Sequence, residues 1–268
     1  MDIAFISRTS GEKISDDLNE RLDEIEKVTG HKIAVYILSG FDFDDEINKS
    51  KKLSIEIIKV DDPISPVSIN SVLEYMNKTR NDPEALFIFS QETVFTTENI
   101  QALITELQNK ETLLVAGYKF EIVEDRGKIN QKLNDELKSY YANEDLIAYR
   151  VPWNTCAIWN YDLFKQYIGK FDEITMGRYP FFQFPVTIDG VSSLTDHKGM
   201  EDGLAIAKAA SQSRNIHFKL LPTALPWKVT EDKINNHRKK LARKDYVMRN
   251  FMAMRNYSIE ALEAAEVK

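Results

Sequence analysis

The chain has 268 residues, 43% of them hydrophobic and 10% aromatic, which is enough apolar material to fill one large core or two small ones. Its 35 basic and 42 acidic side chains leave a net charge of −7, so a broad cationic surface is not expected and no nucleic-acid partner is assigned. A single cysteine, Cys156, excludes an intramolecular disulfide and a multi-thiolate zinc site; its neighbours Thr155, Ala157, Ile158 and Trp159 mark it as a small buried hydrophobe.

In chain order, residues 3–6 (IAFI) form a first candidate strand. Leu18, Leu22, Ile25 and Val28 then recur at helical spacing behind Ser15, a side chain suited to capping, with Gly30 placed to end the helix. Residues 33–38 (IAVYIL) are β-branched and aromatic and run into Ser39-Gly40, a second strand opening into a loop. Residues 55–60 make a third strand, and beyond the Pro63 and Pro66 breakers Ile69, Val72, Leu73 and Met76 repeat the helical stripe. Residues 86–89 (LFIF) read as a strand buried on both faces, and Ile100, Leu103, Ile104 and Leu107 as a helix capped by Thr96 or Thr97. A strand at 113–116, a charged stretch at 121–145, an aromatic segment at 149–191 and a Lys- and Arg-rich helical tail at 231–255 complete the pattern.

Strands alternating with helices predict an α/β fold with a mostly parallel, Rossmann-like sheet flanked by helices. In such sheets ligands bind beyond the carboxyl ends of the strands, which directs attention to residues 7–11, 39–46, 61–66 and 90–95. The chain contains no GxGxxG, no GxxxxGK[ST] and no HExxH, so the dinucleotide fingerprint, the P-loop and the zincin motif are all excluded. Residues 1–10 lack a cationic lead into an apolar stretch, and no apolar run has the length of a membrane span; a cytoplasmic location is expected.

Three blocks carry a family resemblance. Residues 82–108 (DPEALFIFSQETVFTTENIQALITELQ) resemble the middle of family 2 glycosyltransferases, where a buried strand runs into an Asp-X-Asp motif and a helix follows. Asn154-Thr155 with residues 161–173 (YDLFKQYIGKFDE) is similar to that family's acceptor-side block, and residues 199–214 (GMEDGLAIAKAASQSR) to its Glu-Asp segment. The resemblance spans roughly residues 1–225 and implies the A-type glycosyltransferase fold, with a nucleotide-sugar-binding half at 1–120, an acceptor-binding half of the same domain at 121–230, and the tail at 231–268.

The activity implied is transfer of a sugar from a nucleotide-diphosphate donor to a glycan or other hydroxyl acceptor, inverting and assisted by Mg²⁺ or Mn²⁺, as in polysaccharide biosynthesis; the alternative is an inactive, glycosyltransferase-like binding or scaffold protein. Such transfer needs the leaving diphosphate neutralised, the acceptor hydroxyl deprotonated and the two aligned. Where the family has Asp-X-Asp, this chain has Ser90, Gln91 and Glu92, which leaves Glu92 as the one metal carboxylate and Ser90 and Gln91 as donor contacts. The same triplet also reads as a solvated turn.

The resemblance gives the base role to Asp202, with Glu201 as alternate; two acids in a first helical turn also complement the helix dipole with no further role. It assigns donor contacts to Arg8, Asp42, Asn77 and Arg80, acceptor contacts to Trp153 and Asn154, and a second metal ligand to His237. As bare residue types, Arg8, Asn77, Arg80 and His237 also read as ordinary surface groups, and Asp42 as one acid of the loop FDFDDE. Aromatic side chains at Tyr179, Phe181, Phe182 and Phe184 offer stacking faces or core, and residues 187–198 suit a closing loop. Arg238, Lys239, Lys240, Arg243 and Lys244 offer a peripheral membrane or subunit contact, or a solvated helix face.

Overall fold

The computed structural model describes residues 1–11, 14–41, 52–63, 65–120, 147, 150–172, 200–230, 232, 244, 245 and 247–267. Asp42, Asp44, Asp45, His237, the aromatic cluster at 179–184, the proposed loop at 187–198 and the basic residues 238–243 lie outside them.

The amino-terminal half alternates as expected: β1 (Asp2–Thr9), α1 (Asp16–Glu26), β2 (Lys32–Ser39), β3 (Ser54–Lys59), a short 3₁₀ turn at Pro66–Ser68, α2 (Ile69–Thr79), β4 (Ala85–Phe89), α3 (Thr97–Asn109) and β5 (Leu113–Phe120). Ser15 caps α1 by accepting the Leu18 N–H at 3.1 Å, and the helix ends at Glu26, so that Val28 packs from the following turn and Gly30, at φ 79°, redirects the chain into β2. Thr96, not Thr97, caps α3, in a reciprocal box with Asn99. The carboxyl-terminal part continues with β6 (Cys156–Asn160), α4 (Tyr161–Tyr167), α5 (Glu201–Gln212) and β7 (His217–Leu225), then a helical stretch at 247–254, α6 (Ile259–Ala264) and the short β8 (Glu266–Val267).

These strands form one eight-stranded sheet in the order β3-β2-β1-β4-β6-β5-β7-β8. β1 pairs in parallel with both β2 and β4, and β6 runs antiparallel to its neighbours β4 and β5. β6 had no strand signature beyond its apolar character, because CAIWN is short and fully covered, with four of its five residues buried. β4 (ALFIF) is buried at every position, which explains its unbroken apolar run where a half-exposed strand would alternate.

The sheet packs differently on its two faces. Phe5 stacks on Phe87 with ring centroids 4.8 Å apart, and Phe87 meets Phe95 just before α3, on the side where α1 and α3 pack. Tyr36, of opposite parity to Phe5's partner Val35, meets Tyr75 of α2, so α2 covers the other face. The stretch at 247–254 is helical as expected of the tail, but Val247, Met248, Phe251 and Met252 are buried and belong to the core. Gly203 makes that packing close, since a Cβ there would lie 2.5 Å from the Met248 sulfur. Among the described residues no helix is long and apolar enough to cross a membrane.

Candidate functional site

Chain order reverses between β1 and β4: from β1 the connections run outward to β2 and β3, and from β4 they run the other way. In open α/β sheets such a switch point is where the ligand crevice lies, beyond the carboxyl ends of the strands, because the connections leaving the two central strands part there. The turn Ser90–Thr93 follows β4 at this point, and β1, the neighbouring strand, ends beside it. Ser7 Oγ donates to the Phe89 carbonyl at 3.1 Å and ties the two strands together just below it.

The turn is held from four directions. The Ser90 N–H donates to the Thr155 carbonyl at 2.9 Å, and Thr93 Oγ1 donates to the same oxygen at 3.0 Å. Ser15 Oγ donates to Gln91 Oε1 at 2.9 Å, which links the turn to the start of α1. The Lys228 N–H donates to the Glu92 carbonyl at 2.8 Å, and the Val94 N–H to Pro226, so the segment after β7 runs alongside. Arg21, buried in α1, donates to the Thr93 and Phe95 carbonyls at 3.3 and 3.1 Å. Within the turn, Ser90 Oγ donates to Glu92 Oε2.

Asn154 and Thr155 join this turn to the pair of acids at the start of α5. The Asn154 N–H donates to Asp202 Oδ2 at 3.0 Å, one residue before the carbonyl that holds Ser90 and Thr93. The turn that carries Glu92 and the start of α5 with Asp202 therefore lie on the same side of the molecule, joined through the two consecutive residues Asn154 and Thr155. Asp202 also accepts the Gly203 N–H at 2.8 Å on Oδ1 and is 6% exposed, beside Glu201 at 7%. Burial pushes the Asp202 carboxyl up to about 7, the Glu201 carboxylate adds to the rise, and the Asn154 N–H, the Lys244 ammonium and the Gly203 N–H act against it.

The Asn154 side chain accepts from Trp159 Nε1 at 2.9 Å, and this fixes which end of the amide is oxygen. Its Nδ2 is left buried without a hydrogen-bond partner, as is Thr155 Oγ1. Two unsatisfied polar groups beside a buried carboxyl cost about 1–3 kcal/mol each unless a ligand or water meets them. Trp153, next to Asn154 in the chain, is buried at 7% exposure.

Arg8 is partly buried at the end of β1, where its Nη1 donates to the Ser65 carbonyl at 3.2 Å. The structure thus brings Arg8, Ser90, Gln91, Glu92, Trp153, Asn154, Glu201 and Asp202 to one end of the sheet. Asn77 and Arg80 are placed elsewhere. Both are exposed at the carboxyl end of α2, where Arg80 is the left-handed cap at φ 54° and the chain returns to the amino ends of β1 and β4 through the Glu84 N–H to Asp2 carbonyl bond. A helix leading back from the carboxyl ends of the strands must finish at their amino ends, so the two residues stand a strand length from the crevice. Ser15, Thr155 and Lys244 were not assigned to the site from sequence. A capping serine carries only a local signal, and the proximity of Lys244 to Asp202 depends on how 247–254 packs on α5.

Among the described residues, which include neither Asp42 nor His237, the donor set does not match a resident divalent ion, which prefers six oxygen ligands and several anionic ones. Glu92 is the one carboxylate of the turn and its Oε2 already accepts from Ser90, and among the described residues no three His, Cys, Asp or Glu side chains converge.

The chain matches no protein-family model and no curated protein sequence. Solved structures do match over nearly its whole length. A mannosyltransferase, PcManGT, from Pyrobaculum calidifontis, in complex with GDP-Man and Mn²⁺, superposes with a TM-score of 0.63 at 14% identity over 98% of this chain and 68% of that one. TarS from S. aureus matches with a TM-score of 0.54 at 16% identity, over 98% of this chain but 41% of its own. Glucosyl-3-phosphoglycerate synthase from Mycobacterium tuberculosis, in complex with Mn²⁺ and UDP-glucose, matches with a TM-score of 0.51 at 9% identity, over 96% and 79%. The chain has the A-type glycosyltransferase fold that the sequence blocks predicted.

Proposed function

We propose that the chain is a glycosyltransferase that moves a sugar from a nucleotide-diphosphate donor to a hydroxyl of a glycan or other acceptor, with inversion at the anomeric carbon. The observation that carries the proposal is the buried Asp202 carboxyl, tethered through Asn154 and Thr155 to the turn at the switch point. Solved proteins of the same fold are described with GDP-Man and with UDP-glucose bound, which supports a nucleotide sugar as the donor class.

In this mechanism the donor lies across the switch point with its diphosphate near Arg8 and Ser90. Asp202 takes the proton of the acceptor hydroxyl as that oxygen attacks the anomeric carbon from the side opposite the leaving diphosphate. A carboxyl near 7 suits this task, because a base is most effective when its own proton affinity is close to the working pH. The Asn154 and Gly203 N–H groups hold the carboxylate in one orientation, and the free Nδ2 of Asn154 is a donor for an acceptor oxygen beside it. Mg²⁺ or Mn²⁺, implied by the family resemblance, has no step in this scheme.

The test is release of nucleoside diphosphate from UDP- and GDP-sugars in the presence of candidate acceptors. Asp202→Asn is expected to lower turnover by roughly 10²–10⁴-fold; unchanged turnover would remove Asp202 from the base role. A second reading, a binding or scaffold protein without turnover, is favoured by one observation, the absence of a carboxylate at positions 90 and 91. Donor binding without turnover for any acceptor supports that reading.

A further inference from the structure

We infer that the diphosphate of the donor is neutralised by the guanidinium of Arg8 and not by a divalent cation, an inference that rests on the donor class proposed above. The argument starts from strand register. β1 and β4 pair in parallel with Ile3 level with Ala85 and Ile6 level with Ile88. Continuing that register by two residues, one past the end of β4 at Phe89, sets Arg8 beside Ser90 across the switch point. Residues level with one another on neighbouring strands project to the same face, so a fixed cation stands beside the position where a metal carboxylate is missing.

The two features explain each other. A carboxylate at position 90 would pair with the guanidinium and cancel its charge. Serine there leaves Arg8 with one hydrogen bond from Nη1 to the Ser65 carbonyl, and its remaining N–H donors are available to phosphate oxygens. The same serine donates to Glu92 Oε2 and so occupies an oxygen that a metal would need. Gln91 Oε1, the other oxygen of the triplet with ligand character, accepts from Ser15. The turn is therefore hydrogen-bonded inward on itself and on α1, while the positive charge of the switch point is supplied by the neighbouring strand. Arginine is well matched to the role, since its planar fork meets two phosphate oxygens at once and keeps its charge at any working pH.

The experiment is calorimetric titration of UDP and GDP into the full chain in EDTA and again in millimolar Mn²⁺, for the wild type and the variants Arg8→Ala, Arg8→Lys, Ser90→Asp, Glu92→Gln and His237→Ala. The expected result is one nucleotide bound with affinity equal within about twofold in the two conditions. Arg8→Ala is expected to lose about tenfold or more in both, the loss of a charge-assisted contact. Arg8→Lys should recover part of it, and Ser90→Asp should weaken binding in EDTA while introducing a gain from Mn²⁺. Binding that requires Mn²⁺ and is lost in Glu92→Gln or His237→Ala overturns the inference and leaves the donor class standing. Binding unaffected in a folded Arg8→Ala also overturns it, and no binding of either nucleotide in any condition removes the donor class with it.

Discussion

Replacing Asp202 by asparagine tests the environment of that carboxyl without any substrate. An aspartate has a pKa of 3.8 when free of the fold and about 7 in its buried place on α5. Below pH 3.8 the folded and unfolded chains both hold the proton, and the group is neutral in each. As pH rises above that, the unfolded chain releases the proton while the folded chain retains it, so stability falls with pH until the folded carboxyl ionises near 7. At ~1.4 kcal/mol per pKa unit the full loss is about 4 kcal/mol, complete above pH 7. Asparagine has no proton to lose and removes that slope. It also presents an amide NH₂ to one of the two N–H donors that Asp202 accepts, from Asn154 or Gly203, which costs about 1–3 kcal/mol at every pH. Asp202→Asn is therefore expected to be less stable than the wild type at pH 4, where the wild type has lost little, and more stable at pH 8, with the curves crossing between. Urea unfolding at several pH values, followed by the fluorescence of Trp153 and Trp159, both buried, measures the difference directly. Two curves that run parallel from pH 5 to 8 would refute the argument that burial dominates this carboxyl.

The same ionisation predicts that turnover rises with pH and levels off above about 7, which a pH–rate profile on a saturating donor reads. Arg21→Met keeps the length of a buried side chain but leaves the Thr93 and Phe95 carbonyls without their donor; a loss of about 2–4 kcal/mol in urea unfolding is expected, together with weaker nucleotide binding as the Ser90–Thr93 turn loosens. Gly117→Ala would set a methyl 2.7 Å from the Pro152 Cβ and 3.0 Å from the Cys156 carbonyl, a clash with little freedom to relax, and is expected to destabilise by about 1–3 kcal/mol. Cys156 is fully buried and burial pushes its thiol far up, so alkylation by iodoacetamide is expected to follow the rate of unfolding; rapid alkylation of the native chain would contradict its burial.

Elements with strong periodicity were legible from sequence because the pattern and the burial have one cause. The stripes Leu18, Leu22, Ile25 and Ile69, Val72, Leu73, Met76 are the buried apolar residues of α1 and α2, and the run LFIF is the covered centre of β4. β6 escaped, since five apolar residues between a turn and a helix carry no period, and its antiparallel direction is set by its neighbours β4 and β5. Ser90, Gln91, Glu92, Asp202 and Asn154 are candidates read from local blocks that keep their order along the chain, and the fold brings them to one end of the sheet. Asn77 and Arg80 were assigned by position relative to such a block, and the direction of α2 carries them to the other end of the sheet.

By itself the sequence determined the strands and helices of the amino-terminal half, that the sheet is mostly parallel, and that a carboxylate at 92 follows an apolar strand while one at 202 opens an amphipathic helix, because each depends on short stretches of chain burying their own apolar side chains. Only the tertiary structure decided that Asn154 and Thr155 link Asp202 to the Ser90–Thr93 turn, that burial pushes the Asp202 carboxyl up to about 7, and that β1 and β4 pair in parallel with Ile6 level with Ile88. Those facts depend on strand order and register between segments 82 residues apart in the chain, and on the solvent excluded when α5 packs against 247–254, neither of which any local window of residues contains.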